Sequence, residues 1–297
     1  MEEMLNSAQI CVSVQHKKKM YKIKNFVNND DVKILETKGP FTIVEYQRDL
    51  SVTPLTAQRA YYSSMMNVRK KQVICDLTQA NITTQAGAMN WMVGNVSATT
   101  GLKGAGDLLK KALRGAVTNE STIKPEYTGD GTLVLEPTYK YILLVDVADW
   151  NGSIVLDDGL FLACDSNLKH KAVMRSNVSS ALFGGEGLFN LGIEGDGVLC
   201  LESPCPKEEL IEIELVNDVL KVDGNFAIAW SGSLEFTVER SGKTLLGSAA
   251  SGEGLVNVYR GTGRVLLAPV TEPTLTPTST SSSASNSSVT VTRTISR

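Results

Sequence analysis

A long internal repeat constrains the fold of this chain more than any other feature. The segments GEGLFNLGIEGDGVLCLESP and GEGLVNVYRGTGRVLLAP match closely, and NESTIKPEYTGDGTLVLEP is a more divergent third copy. Their Gly-x-Gly motifs begin at Gly129, Gly195 and Gly261. Successive motifs are therefore 66 residues apart. A fixed long period of this kind indicates repeated structural units that bury one another's surfaces.

The interior of each repeat has the pattern of β-strands. Ile211–Leu215 and Leu234–Glu239 alternate apolar and polar residues, which is typical of strands with one solvated face. Tyr141–Val145 and Val198–Leu201 are continuous apolar runs, which suit strands covered on both faces. Asp-Gly and Gly-Asn dipeptides punctuate these segments, and we predict hairpin turns there and at the Gly-x-Gly motifs, because glycine readily supplies a positive φ.

The repeats predict an all-β fold of three tandem units that share a core, because about 66 residues bury little surface alone. Units around a common centre would have pseudo-threefold symmetry, although the sequence also permits a linear stack. The predicted segments are an N-terminal segment at 1–67, repeats at 68–138, 139–205 and 206–270, and a tail at 271–297.

Three regions depart from the repeat. In the N-terminal segment, Phe41–Tyr46 predicts a strand, and Thr53-Pro54 opens a predicted helix that ends near Met66, with Leu55, Tyr61 and Met65 among the residues lining one face. Inside repeat 1, the spacing of apolar residues within 102–116 predicts a short amphipathic helix. The tail is dominated by Ser, Thr and Pro, which predicts disorder.

Composition excludes some classes of function. A net charge of −3 argues against a general nucleic-acid binder, and the basic stretch His16–Lys24 is interpreted as solvated surface. Five cysteines without a spacing pattern indicate a reducing compartment. The acidic start MEEMLNSAQI lacks the apolar core of a signal peptide, and no apolar run reaches membrane-spanning length. We therefore expect a cytoplasmic protein.

The strings GGEGLFN, LDDGLFLA, VDGNFAIAW, SGEGLVNVYRGTGRV and QAGAMNWM carry a family resemblance. Over roughly residues 41–270 the chain resembles the bacterial branch of the altered-inheritance-of-mitochondria protein 24 family. The resemblance implies a fold similar to the trp RNA-binding attenuation protein, with three β-sandwich-like units in pseudo-threefold symmetry. Mitochondrial relatives are tied to inner-membrane organisation, which suggests a scaffold. Fold likeness alone does not transfer RNA binding.

The repeat glutamates Glu120, Glu186 and Glu253 have two interpretations. Three carboxylates around a threefold axis would suit a hard cation such as calcium. Alternatively, each glutamate caps backbone N–H groups once per repeat, and we favour this interpretation because folding constraints act on every copy. The signature residues assigned this structural role are Glu120, Gly129, Gly131, Glu186, Gly195, Gly197, Glu253, Gly261 and Gly263. The glycine motifs lack the lysine and helix start of a phosphate-binding loop.

No arrangement of residues nominates a catalytic site. The histidines His16 and His170 have no ligand spacing, and His170 is predicted in an exposed turn. No GxSxG motif nominates a serine, and no cysteine has a histidine neighbour in the local sequence pattern that would lower its pKa. The tryptophans Trp91, Trp150 and Trp230 are predicted in the core.

These observations favour a non-catalytic scaffold or binding protein without a cofactor. We expect it to bind protein partners or to self-associate, and we do not expect it to bind nucleic acid. Peripheral membrane contact is compatible with this hypothesis. The alternative is a small-ligand or metal-binding module with a pocket between repeats, and an enzyme or an RNA binder ranks lower.

Overall fold

The protein folds into two antiparallel β-sheets, which confirms the all-β class. The computed structural model describes residues 21–100, 124–174, 189–224, 226–240 and 255–269. The strands of the N-terminal half are β1 (Val32–Lys38), β2 (Phe41–Tyr46), β3 (Lys71–Asp76), β4 (Ile82–Thr84), β5 (Met89–Thr99), β6 (Glu126–Leu135), β7 (Tyr141–Asp146) and β8 (Ser153–Leu156). Those of the C-terminal half are β9 (Phe161–Asp165), β10 (Lys169–Met174), β11 (Phe189–Glu194), β12 (Val198–Ser203), β13 (Ile211–Asp223), β14 (Ala227–Ser231), β15 (Glu235–Arg240) and β16 (Leu255–Leu267).

The two sheets divide the chain unevenly. The first sheet has the order β1-β2-β3-β6-β4-β9-β12-β7, and β5 also pairs with β6. The second has the order β10-β11-β8-β14-β16-β13, and β15 also pairs with β16. The middle stretch of the chain, β7 to β12, therefore supplies strands to both sheets.

The chain passes between the sheets at four places in this middle stretch: a short 3₁₀ helix at Val147–Trp150, the turn at 157–160, the turn at 166–168 and the bend at 195–197. Backbone hydrogen bonds join two of these places, since Val147 N–H donates to the Gly197 carbonyl over 3.1 Å. The Oδ2 atom of Asp165 accepts from the Val198 N–H at 2.7 Å. The crossings at 147–150, 166–168 and 195–197 thus lie together.

A similar pairing pattern occurs in each predicted repeat. The last strand pairs with its predecessors in every case: β6 with β3 and β5, β12 with β7 and β9, and β16 with β13 and β14. The arrangement of three tandem units around a pseudo-threefold axis, and the segment boundaries given above, stay predictions.

Three clusters of buried apolar side chains form the core. One surrounds Trp150 and Phe161, the second surrounds Phe41 and Leu133 in the first sheet, and the third surrounds Trp230 in the second sheet. Burial of this apolar surface is the main favourable contribution to folding. The core positions predicted for Trp150 and Trp230 are confirmed.

The N-terminal segment contains the predicted strand and helix. The strand β2 has the predicted bounds, and helix α1 spans Ala57–Met65. The predicted helix at 102–116 and the tail at 271–297 lie outside the described residues. None of the described helices is long and apolar enough to cross a membrane.

Candidate binding site: a cleft beside an outward-facing helix

A cleft of about 630 Å³ lies between the residues that precede β1, helix α1 and the first sheet. Its volume falls within the range typical of small-molecule sites. Polar and aromatic side chains line it together, including Asn25, Phe26, Tyr46, Gln72, Asn90, Trp91 and Tyr139. Most of the residues that line the cleft belong to the N-terminal segment, which precedes the repeats.

A buried glutamine fixes one wall of the cleft. The Tyr46 hydroxyl donates to Gln72 Oε1 over 2.7 Å, and Gln72 Nε2 donates to the Leu135 carbonyl over 2.8 Å. These bonds join β2, β3 and β6 through side chains. Partial burial raises the pKa of Tyr46, against an opposing effect of Lys70, so this phenol stays neutral at physiological pH. The wall therefore presents neutral polar groups.

Ion pairs mark the rim of the cleft. Arg48 pairs with Asp31, and Lys70 Nζ lies 2.9 Å from Asp49 Oδ2. A hydrogen bond to the partner carboxylate raises the pKa of both Arg48 and Lys70. Both pairs are solvent-accessible, so each contributes little to stability. They position the segment before β1 and the chain that leads into α1.

Trp91 is the aromatic group that sequence reasoning placed wrongly. Instead of lying in the core, it is half-buried on β5 and lines the cleft. Its ring centroid lies 5.7 Å from that of Phe26. Alternation along β5 puts the indole on the cleft side, which was not evident without knowing the strand's position in the sheet. The pair forms an apolar surface among polar groups.

Helix α1 is oriented with its apolar side chains outwards. The small residues Ala60, Ser63 and Ser64 line the cleft. No residue of the helix is buried. Large apolar side chains are instead exposed, and we call the following set the outer face: Leu55, Tyr61, Tyr62, Met65 and Met66. The predicted helix is confirmed, but its apolar face is not directed at the core.

The Gly-x-Gly motifs do not form hairpin turns, so this prediction was wrong. Gly129 lies inside β6, opposite Val96 of β5, and Gly261 lies inside β16, opposite Asp218 of β13. Gly195 lies in the bend between β11 and β12, which are in different sheets. The positive φ was predicted correctly for the motif glycines Gly129, Gly195, Gly197 and Gly261.

Close backbone approach explains glycine in the first motif. An added Cβ at Gly129 would lie 2.1 Å from the Asn95 carbonyl oxygen, and one at Gly131 would lie 2.2 Å from Val96 Cγ2. In the third motif, a Cβ at Gly263 would lie 2.8 Å from Ser231 Cβ. The repeat glutamates Glu120, Glu186 and Glu253 lie outside the described residues.

Comparison with known proteins establishes the relationship suggested by these motifs. The family model described as Mitochondrial biogenesis AIM24 matches residues 64–270. The chain belongs to this family. The AIM24 match includes all three Gly-x-Gly motifs, whereas much of the cleft lining, including Phe26, Tyr46 and Arg48, precedes it.

Two streptococcal proteins are similar to this AIM24 family member. An uncharacterised protein of Streptococcus pyogenes serotype M6 is 32% identical over 191 residues, which cover 62% of this chain and 74% of that protein. A crystal structure of a protein from Streptococcus pyogenes has 27% sequence identity and a TM-score of 0.51, and the match covers 68% of this chain and 89% of that one. These similarities support the fold and bring no activity.

Within the AIM24 match, the fold brings together a cysteine and a histidine. Cys164 Sγ lies 3.3 Å from His170 Nε2, where β9 ends and β10 begins. His170 is therefore on strand β10 with an exposed side chain, so its predicted exposure is confirmed and its predicted position in a turn was wrong. The Phe161 ring meets it edge-on at 5.4 Å.

The protonation states of this pair oppose nucleophilic catalysis. Burial, followed by the nearby Asp165 carboxylate, raises the pKa of Cys164 to about 12, with a smaller lowering effect of Lys124. Desolvation, followed by the charge of Lys124, lowers the pKa of His170 to about 4. Thiol and imidazole are both neutral near pH 7, whereas a reactive cysteine requires a thiolate. The contact is a packed, neutral hydrogen bond.

Asp165 is a buried carboxyl group beside this pair. Its Oδ1 atom has no hydrogen-bond partner, whereas Oδ2 accepts from Val198. Desolvation raises the pKa of Asp165, the Val198 hydrogen bond opposes this, and Asp146 and Asp196 raise it further. Within the described ranges, no three His, Cys, Asp or Glu side chains form a group that could hold a metal ion.

Proposed function

We propose that this AIM24 family member is a non-catalytic binding scaffold that engages a partner through the outer face of α1. The single observation that carries the proposal is the orientation of this helix. Its small residues line the cleft, while Leu55 is 96% and Met66 75% exposed. An amphipathic helix in a folded domain ordinarily buries its apolar side, so this face requires a partner.

The composition of the outer face fits a binding surface. Tyrosine and methionine are enriched in the centres of protein interfaces, and methionine adapts its shape to a partner. Half of the large apolar side chains exposed in the described part of the chain lie between Leu50 and Val68. Such a concentration distinguishes this surface from scattered apolar residues.

The state of the Cys164–His170 pair supports a role without catalysis. With a pKa of about 12 the Cys164 thiol supplies little thiolate at neutral pH, and with a pKa of about 4 the His170 imidazole is a weak base. We further propose that the protein is cytoplasmic and makes peripheral contact with membrane-associated assemblies. We propose no bound nucleic acid and no cofactor.

The proposal is tested by substituting Tyr62 and Met65 with serine in the full-length chain. Cross-linking in the cells that encode the protein, followed by affinity capture, measures the bound partners. We expect the double variant to lose most of the cross-linked protein. A matched control, Met89→Ser with Met92→Ser, removes two exposed methionines from β5 and should retain it. Equal capture by all forms would contradict the proposal.

A second candidate function is the binding of a small ligand in the cleft. It is supported by the exposed side of Trp91 beside Phe26 and by the neutral amides of Gln72 and Asn90. The cleft differs from the expected pocket between repeats. Two smaller cavities are lined by residues of the second and third repeat segments: one of about 310 Å³ beside Trp150 and Arg264, and one of about 160 Å³ beside Val155 and Trp230.

Thermal unfolding across a panel of metabolites and metal ions tests this second function. A ligand of the cleft should raise the melting temperature of the wild-type chain and have little effect on a Trp91→Ala variant. A ligand whose effect is unchanged in that variant binds elsewhere. The absence of any shift across the panel would remove the support for this candidate.

A further inference from the structure

We propose that the partner of the outer face is the β13 edge of a second copy of this chain, so that copies join head to tail. This inference rests on the proposed role of α1 in binding. It identifies the second surface, which is an exposed edge strand in the C-terminal half of the chain. Both surfaces are exposed in the same structure, so neither covers the other.

The β13 edge is a long strand with apolar residues in contact with solvent. β13 ends the order of the second sheet and pairs there with β16. Val216 is 81% exposed, and Ile211 and Val219 are also exposed. An edge strand with exposed apolar side chains favours association with another chain.

A bulge determines how this edge can be contacted. The register with β16 shifts between Leu215 and Asp218, and Asn217 has a φ of 51°. A bulge bends a strand and interrupts regular pairing, which opposes simple addition of another strand. A partner must therefore contact the side chains around Val216, and a helix face such as α1 can do so.

Charge distinguishes the two surfaces. From Leu50 to Lys70 the chain has three cations, Arg59, Arg69 and Lys70, and no acidic residue. From Glu208 to Asp223 it has six acidic residues and one cation, Lys221. Lys70 pairs with Asp49, and Arg264 on β16 pairs with both Glu212 and Glu214. Arg59 and Lys70 lie over the Tyr139 ring at the cleft, beside the outer face rather than on it. After these pairs, the region around α1 keeps a positive balance and the β13 edge a negative one. Opposite charges therefore favour α1 against β13.

The same charges oppose pairing of identical surfaces. Two β13 edges repel each other through their carboxylates, and two α1 surfaces repel each other through their cations, although more weakly. Contact between unlike surfaces leaves one free surface of each kind on every assembled pair. Such heterologous contacts continue into rings or filaments, which suits a scaffold.

Mixing two variants of the full-length chain tests the head-to-tail contact. The first, Tyr62→Ser with Met65→Ser, removes the outer face. The second, Val216→Ser with Val219→Ser, removes the apolar part of the β13 edge. Sedimentation velocity over a concentration series, at low and high salt, measures the mass of each form. The Met89→Ser, Met92→Ser chain is the matched control.

We expect the wild-type chain and the control to form particles of more than two chains as concentration rises. High salt should reduce this association. Each variant alone should remain a monomer of 32.0 kDa, with association weakened at least about tenfold. A mixture of the two variants should form particles of two chains and nothing larger, since only one intact pair of surfaces remains.

Three results would overturn the inference. These are a wild-type chain that stays monomeric, a β13 variant that still associates by itself, and a mixture that forms no two-chain particle. Flotation with vesicles of anionic lipid identifies a different occupant if it depends on Tyr62 and Met65 while the chain stays monomeric. The proposed binding role survives these results if cellular capture depends on the outer face, and fails separately if it does not.

Discussion

The imidazole of His170 lies 3.3 Å from the thiol of Cys164, and the environment keeps both groups neutral. The two residues are six positions apart, on consecutive strands that belong to different sheets. Burial shifts their two pKa values in opposite directions, upwards for the thiol and downwards for the imidazole. This relationship leads to measurable effects of pH and of thiol reagents.

Stability should fall on acidification between about pH 6.5 and pH 4 because of His170. The pKa of about 4 in the folded protein is below the ordinary value of 6.5, so the unfolded chain binds the proton first. Proton uptake by the unfolded state therefore lowers the free energy of unfolding in this window. When the free energy of unfolding is measured with urea across this pH range, it should depend less steeply on pH in the His170→Gln variant. An unchanged slope would contradict this assignment.

The described cysteines should react slowly with thiol reagents while the protein is folded. Burial raises the pKa of Cys75, Cys164, Cys200 and Cys205. Reaction requires exposed thiolate. In a Cys11→Ser chain, which keeps only these four cysteines, Ellman's reagent should release little chromophore until denaturant is added. Rapid labelling of one thiol in the folded state would show that its site opens readily.

Gly131→Ala should destabilise the protein by at least about 2 kcal/mol, because the added methyl group would overlap Val96 and the backbone of β5. Gly87→Ala is the matched control. Gly87 has a φ of +81° but no atom within 4 Å of an added Cβ, so its cost should be only about 1 kcal/mol. Urea unfolding of both variants measures the difference, and equal losses would show that the contacts around Gly131 relax at little cost, contrary to the prediction.

Asp165→Asn should stabilise the protein by on the order of 1 kcal/mol at neutral pH. The folded-state pKa of Asp165 is raised, so its contribution to stability falls as pH rises from the unfolded value through the folded value. The amide keeps an acceptor for Val198 N–H and removes a buried charge. The gain should disappear below the ordinary carboxyl pKa. Glu235→Gln, at an exposed site, should change little, and a destabilised Asp165→Asn chain would contradict the prediction.

The strands were predictable because alternation and apolar runs reflect burial directly, as for Tyr141–Val145 in β7. The glycine motifs were not, because a positive φ occurs both in hairpins and inside paired strands such as β6. The pairing of Gly131 with Gly94 shows that this motif lies inside a strand and not in a hairpin turn. Sequence periodicity therefore identified the elements but not the connections at these glycines.

The candidate site could be predicted only in part. The pattern of α1 predicted an amphipathic helix, but periodicity cannot show whether its apolar side faces the core or solvent. The cleft joins Phe26, Gln72 and Trp91, which are distant in sequence and share no motif. Its assembly depends on strand order, which local patterns do not determine.

The contribution of the middle stretch to both sheets has a consequence for dividing the protein. A cut between β7 and β12 would leave each sheet without strands that the other fragment carries. Neither fragment would keep a complete sheet, so the halves cannot act as autonomous modules. Heating should accordingly give one calorimetric peak for the two sheets, and gene fragments that encode either half should yield insoluble chains.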